Sequence, residues 1–154
     1  MTDVRKTAYL AEAQTAVSTD LNGDLNDTWC ALSSEYDNST TGYMFMDIEV
    51  YLAAPASAWS GADSAYEVYV VPSLDGTNYP DYVESGTAEE QENNQYFVGS
   101  VSTQGAGTVA CRQVIRGVEV PNGKFKIGGR NRTNQTLAAT GNTIKWRPWG
   151  YKSA

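Results

Sequence analysis

The chain has 154 residues, enough for one domain with its own core and too short for two. Hydrophobic residues make up 41% and charged residues 19%, with 10 Tyr, 4 Trp and 3 Phe, which excludes a disordered chain and favours sheets and interfaces. The net charge of −7 is unevenly spread: residues 1–100 sum to −15 and residues 101–154 to +8.

The N-terminal residues, Met1 to Lys6, are polar, and no apolar run follows them, so no secretory signal is expected. Residues 1–20 read as an N-terminal arm, and the one helical reading in the chain falls on residues 5–16. Residues 20–27 match a calcium loop at Asp20, Asn22 and Asp24. Leu25 stands where the sharp turn needs Gly, and Ala31 where the bidentate ligand needs Glu, so an acidic turn ahead of a strand is expected.

From there the chain reads as one β domain over residues 21–154. Residues 28–33 form a brief apolar run. Residues 43–52 alternate, with Met44, Met46, Ile48, Val50 and Leu52 on one face and Tyr43, Phe45, Asp47, Glu49 and Tyr51 on the other. Residues 65–71 alternate likewise, with Tyr66, Val68 and Val70 inward and Glu67 and Tyr69 outward. A polar stretch over 72–95 opens on an Asp75-Gly76 turn, and its second half, with Glu89, Glu90 and Glu92, reads as an exposed loop. Short strands are expected at 96–101 and 142–148, and a long one at 108–120 with an irregularity near Gly117. Val120-Pro121-Asn122-Gly123 signals a hairpin turn, after which residues 124–128 pair back with Phe125 and Ile127 inward. The expected fold is all-β: an antiparallel β-sandwich, jelly-roll-like, of about seven or eight strands.

The chemistry is sparse. No His is present, which removes Ser-His and Cys-His nucleophile pairs and the commonest metal ligand. Cys30 and Cys111 sit in apolar runs and read as buried free thiols. Arg112 beside Cys111 is a feature that lowers a thiol pKa, but no base accompanies it, and a core thiol is the preferred reading. Asp47 and Glu49 share one strand face, and a pair of carboxylates is what glycoside hydrolysis uses; charged residues on the wet face of a strand are the preferred reading. No phosphate loop, cofactor or metal site is expected. No stretch approaches the roughly 20 apolar residues of a membrane helix. The basic half carries rings among its cations, as single-strand binders do, but the acidic first hundred residues oppose phosphate, and no nucleic-acid partner is expected.

The charge split supports two arrangements. Acidic and basic strands either occupy opposite faces and join copies head to tail, or pair within a sheet as cross-strand ion pairs. In the tail, Trp146-Arg147-Pro148-Trp149-Gly150-Tyr151, the Pro and Gly are expected to interrupt any strand and leave Trp149 and Tyr151 at the surface or on a neighbour. The candidate interface residues are Arg112, Arg116, Lys124, Lys126, Lys145, Arg147, Trp149, Tyr151, Asp47 and Glu49.

Four stretches carry a resemblance: IEVYL at 48–52, EVYVVPSLDGTNY at 67–79, VPNGKFKI at 120–127 and LAATGNTIK at 137–145. Together they resemble the small β-sandwich virion structural proteins of tailed bacteriophages. The resemblance implies a non-enzymatic decoration (cement) or tail-associated protein, in contact with itself and with other virion proteins, the major capsid protein first among them. It implies a place in the virion after assembly in a host cytoplasm, with no membrane, and it carries no catalytic residue over. A second function is a carbohydrate-binding module of a phage tail or surface protein, because exposed Tyr and Trp stack on sugar faces. The segment 73–79 also resembles part of discoidin-type sandwich modules.

Overall fold

Alternation decides the architecture. β4 (Phe45–Leu52) buries Met46, Ile48, Val50 and Leu52 completely and turns Phe45, Asp47, Glu49 and Tyr51 the other way. A strand with one face on a core does this because successive side chains point to opposite sides. β5 (Ala65–Pro72) sends Tyr66, Val68 and Val70 into the same core from the opposite sheet. The computed structural model describes residues 5–59, 61, 63–80, 96–103, 105 and 107–153, and side chains for those between 8 and 150. The expected acidic loop over 81–95 lies outside the described residues.

The other strands are β1 (Arg5–Tyr9), β2 (Gln14–Val17), β3 (Tyr36–Asp37), β6 (Phe97–Ser102), β7 (Cys111–Glu119), β8 (Lys124–Arg132) and β9 (Thr143–Ser153). Every pairing is antiparallel. The first sheet runs β1-β9-β4-β7, with β2 also on β9; the second runs β3-β8-β5-β6. No α-helix occurs among the described residues. The chain is therefore an antiparallel β-sandwich, with nine strands among the described residues where about seven or eight were expected.

Between the sheets lie Ile144 and Trp146 of β9, Phe125 and Ile127 of β8, Val101 of β6 and Cys30. Each large apolar side chain so buried contributes about 1.5–3 kcal/mol. A second, smaller core covers the outer face of the second sheet: Trp29, Tyr69 and Val71, with Leu32, Tyr79 and Tyr96 packed on them. Tyr69 does point outward as expected, yet it is only 3% exposed because this second core encloses it. The outer face of the first sheet has no such cover among the described residues.

Four expectations are corrected. Residues 5–16 are not helical: they supply β1 and β2, both paired to β9. Pairing with a long strand overrides the helix propensity of Ala, Leu and Glu. The turn at 120–123 forms, with Gly123 at φ 107, but joins no hairpin. β7 pairs with β4 and β8 with β5, so the turn crosses between sheets, and Val118, Phe125 and Ile127 enter one core from the two sheets. Pro148 and Gly150 do not interrupt β9. Pro148 sits where the neighbour of β9 changes from β2 to β1, and its carbonyl still accepts from Leu10 N at 3.0 Å. Met44 precedes β4 and is 57% exposed rather than inward.

Candidate functional site

The uncovered outer face of the first sheet collects most of the candidate residues. In register, Asp47 stands opposite Arg147 and Glu49 opposite Lys145 on β9. On the other side of β4, Tyr51 stands opposite Arg112 of β7. A column of carboxylates thus runs between two columns of bases, as cross-strand pairs favour. Arg112 bonds Glu49 at 3.0 Å and lies 4.6 Å over the Tyr51 ring.

Elsewhere Lys124 bonds Glu35 at 2.8 Å, Arg130 bonds Asp27 at 2.7 Å and Arg147 reaches Glu12 at 3.8 Å. The acidic early chain and the basic late chain therefore meet inside one molecule, as the cross-strand arrangement requires. Lys124 and Lys126 are not on this face: both lie on β8 of the other sheet, Lys126 with its ammonium 4.4 Å over the Tyr79 ring. The side chain of Tyr151 lies outside the described residues; its backbone pairs with Thr7.

At one end of the face the ladder breaks. Met46 opposes Val118 and Ile48 opposes Ile115, so Arg116 and Gly117 together face Asp47. This is a β-bulge at the expected glycine, with Gly117 at φ 70, a conformation that glycine adopts without strain. The bulge turns the Gly117 N–H to Asp47 Oδ1 at 3.1 Å. The Trp149 indole N–H donates to the same oxygen at 2.9 Å, and the Tyr9 hydroxyl donates to Oδ2 at 3.0 Å. One carboxylate, 8% exposed, thereby ties β1, β9, β4 and β7 together.

Above Asp47 opens a cleft of about 390 Å³, lined by Ala8, Tyr9, Asp47, Arg116, Gly117 and Trp149. Trp149 is backed by Phe45, ring centroids 4.9 Å apart and nearly parallel. Tyr9 is backed by the Arg147 guanidinium at 4.2 Å. The bond from Asp47 and partial burial raise the Tyr9 pKa. The Arg116 side chain is 76% exposed, and its guanidinium stands 4.0 Å from Asp47 Oδ2. Sequence reasoning placed Asp47, Arg116 and Trp149 among the candidates but missed Tyr9, because residues 5–16 read as helix.

No family model matches the chain. No curated protein and no solved structure matches it either.

Cys30 and Cys111 are buried and free. Burial pushes the Cys30 thiol up to about 12 and raises Cys111, while Arg112 turns to the opposite face and pairs with Glu49. Residues 19–21 form a single 3-10 turn around buried Leu21, and no group of three metal-ligating side chains occurs among the described residues. A second, polar hollow between Asn26, Asp27, Asp63, Arg132 and Asn134 contains no ring. Its Asp27 and Asn134 adopt positive φ, which their short side chains tolerate.

Proposed function

We propose that this chain is a non-enzymatic structural protein of a bacteriophage virion, a capsid decoration protein that stabilises the particle by packing on itself and on its neighbours in the shell. The observation that carries the reading is the bare outer face of the first sheet. Away from the cleft, Glu49, Tyr51, Arg112, Val114 and Lys145 stand on adjacent strands of this face, with Val114 41% exposed. Tyr and Arg around an apolar centre are the residues that dominate protein interfaces. The paired charges on this face set register more than affinity.

Two further facts support the reading. A chain without His has few routes to acid–base or nucleophilic chemistry. The strand orders β1/β2-β9-β4-β7 and β3-β8-β5-β6 fit jelly-roll wiring, an architecture used by viral shells and by lectins. Assembly on the particle takes place, in this reading, in the host cytoplasm.

The test is co-sedimentation with assembled shells, alongside light scattering of the free chain. Wild type is expected to sediment with shells or to form a discrete oligomer. Val114→Arg, a change at an exposed position, is expected to abolish either. Absence of both from the wild-type chain, or full activity in Val114→Arg, would overturn the packing role of this face.

A further inference from the structure

We propose that the cleft between Tyr9, Trp149, Asp47 and Arg116 binds a neutral pyranose ring. The inference goes beyond the packing reading and uses the other end of the same face.

Its basis is the match between the cleft's polar atoms and adjacent sugar hydroxyls. Asp47 Oδ1 is occupied by Trp149 and Gly117. Among the described residues, Oδ2 accepts only from Tyr9 within hydrogen-bond distance, and Arg116 stands off at 4.0 Å. A carboxylate oxygen has two lone pairs, so Oδ2 keeps room for one more donor. The Arg116 guanidinium, largely turned to solvent, holds several N–H donors and no acceptor. One ring hydroxyl donates to Oδ2 while its neighbour accepts from Arg116.

The walls supply the rest. Tyr9 is 44% exposed, and Trp149 is held in place by Phe45 behind it and by its indole bond to Asp47. Rings fixed in this way offer apolar surface to the C–H face of a sugar at low entropic cost. The volume, about 390 Å³, falls in the range of small-ligand sites. The cleft lining holds one charge of each sign, so an ion of either sign meets a like charge: an anion meets Asp47 and a cation meets Arg116. The polar hollow at Asn26, Asp27 and Asp63 has no ring to stack on and does not fit the same ligand.

The experiment titrates the full chain with glucose, galactose, mannose and N-acetylglucosamine, with glucosamine and sialic acid as charged controls. Binding is read by saturation-transfer NMR and by indole fluorescence, to which half-buried Trp149 responds while Trp29 and Trp146 are buried. At least one neutral sugar is expected to saturate the chain. Loss of the charged donor in Arg116→Ala is expected to weaken it roughly tenfold. Val114→Arg is expected to bind sugar normally, so failure of the packing reading and failure of the sugar site are read separately. No saturation by any neutral sugar would overturn the proposal. So would preference for a charged control, or binding unchanged in both Arg116→Ala and Asp47→Asn.

Discussion

The Trp149 indole N–H donates to Asp47 Oδ1 at 2.9 Å across the β9–β4 pair, and the same carboxylate collects Tyr9 from β1 and Gly117 from β7. The aromatic tail is thus anchored to the sheet that it ends. Replacing Asp47 by Ala leaves three donors without their acceptor. Hydrogen bonds to a charged group are worth more than neutral ones, and water reaches part of this site, so a loss of about 2–3 kcal/mol is expected in urea unfolding. Asp47→Asn keeps one oxygen and is expected to lose less. A change within error for Asp47→Ala would show that the four strands do not depend on this hub.

Two glycines separate strain from space. Gly117 has φ 70, and a Cβ there would touch only Trp149 Cζ2 at 4.0 Å. Gly117→Ala is therefore expected to cost about 1–2 kcal/mol through backbone strain alone, with Gly117→Asn milder. Gly129 on β8 has ordinary backbone, but its Cβ would run into the buried Tyr66 ring. Gly129→Ala is expected to cost about 1–3 kcal/mol or more by overpacking, and Tyr66→Phe in the same chain to relieve part of it, because the hydroxyl is one of the crowded atoms. Thermal melts of the single and double variants check both.

What the sequence made legible follows from range of interaction. Alternation over residues 43–52 is local, so the inner and outer faces of β4 could be read directly. The bulge at Gly117 was legible for the same reason. The turn at 120–123 was legible as a turn, but whether its flanks pair or cross sheets depends on distant partners, β4 and β5. β1 and β2 were hidden because the Ala, Leu and Glu scattered through residues 5–16 favour helix, and only pairing with β9 makes strands there. The site was legible by residue type alone: Tyr9 lies 38 positions from Asp47 in sequence, and Trp149 lies 102. No local pattern links them.

The thiols differ in a way that a reagent can read. Cys30 is fully buried, and its sulfur accepts from Gly129 N at 3.1 Å; Cys111 lies nearer the surface, against Ser102 O. Thiolate is the reactive form, and burial disfavours it at both. In the native chain at neutral pH a thiol-disulfide reagent is expected to leave Cys30 untouched and to label Cys111 slowly. Denaturant is expected to expose both at the ordinary rate. Rapid native labelling of Cys30 would contradict its place in the core.

Asp24 gives the fold a pH dependence of known sign. Its Oδ2 is buried with no hydrogen-bond partner among the described residues, and burial, then the neighbouring Asp20 charge, raises its pKa from 3.8 to about 6. The folded chain therefore holds this proton more tightly than the unfolded chain. The contribution of Asp24 to stability is complete below the unfolded value of 3.8 and is lost as pH rises through about 6. Glu35 and Asp75 act in the opposite sense. Lys124 and Tyr79 lower Glu35, and the backbone and side chain of Asn78 with the Thr77 N–H hold Asp75 well below the usual carboxylate range. Their stabilisation is present at neutral pH and is lost in acid. Comparing wild type with Asp24→Asn isolates the first effect, since the other two cancel in the difference. The variant is expected to melt higher than wild type at pH 7, and the gap is expected to close as pH falls to about 4. A gap that is constant across this range would assign the effect of the substitution to packing rather than to the charge of Asp24.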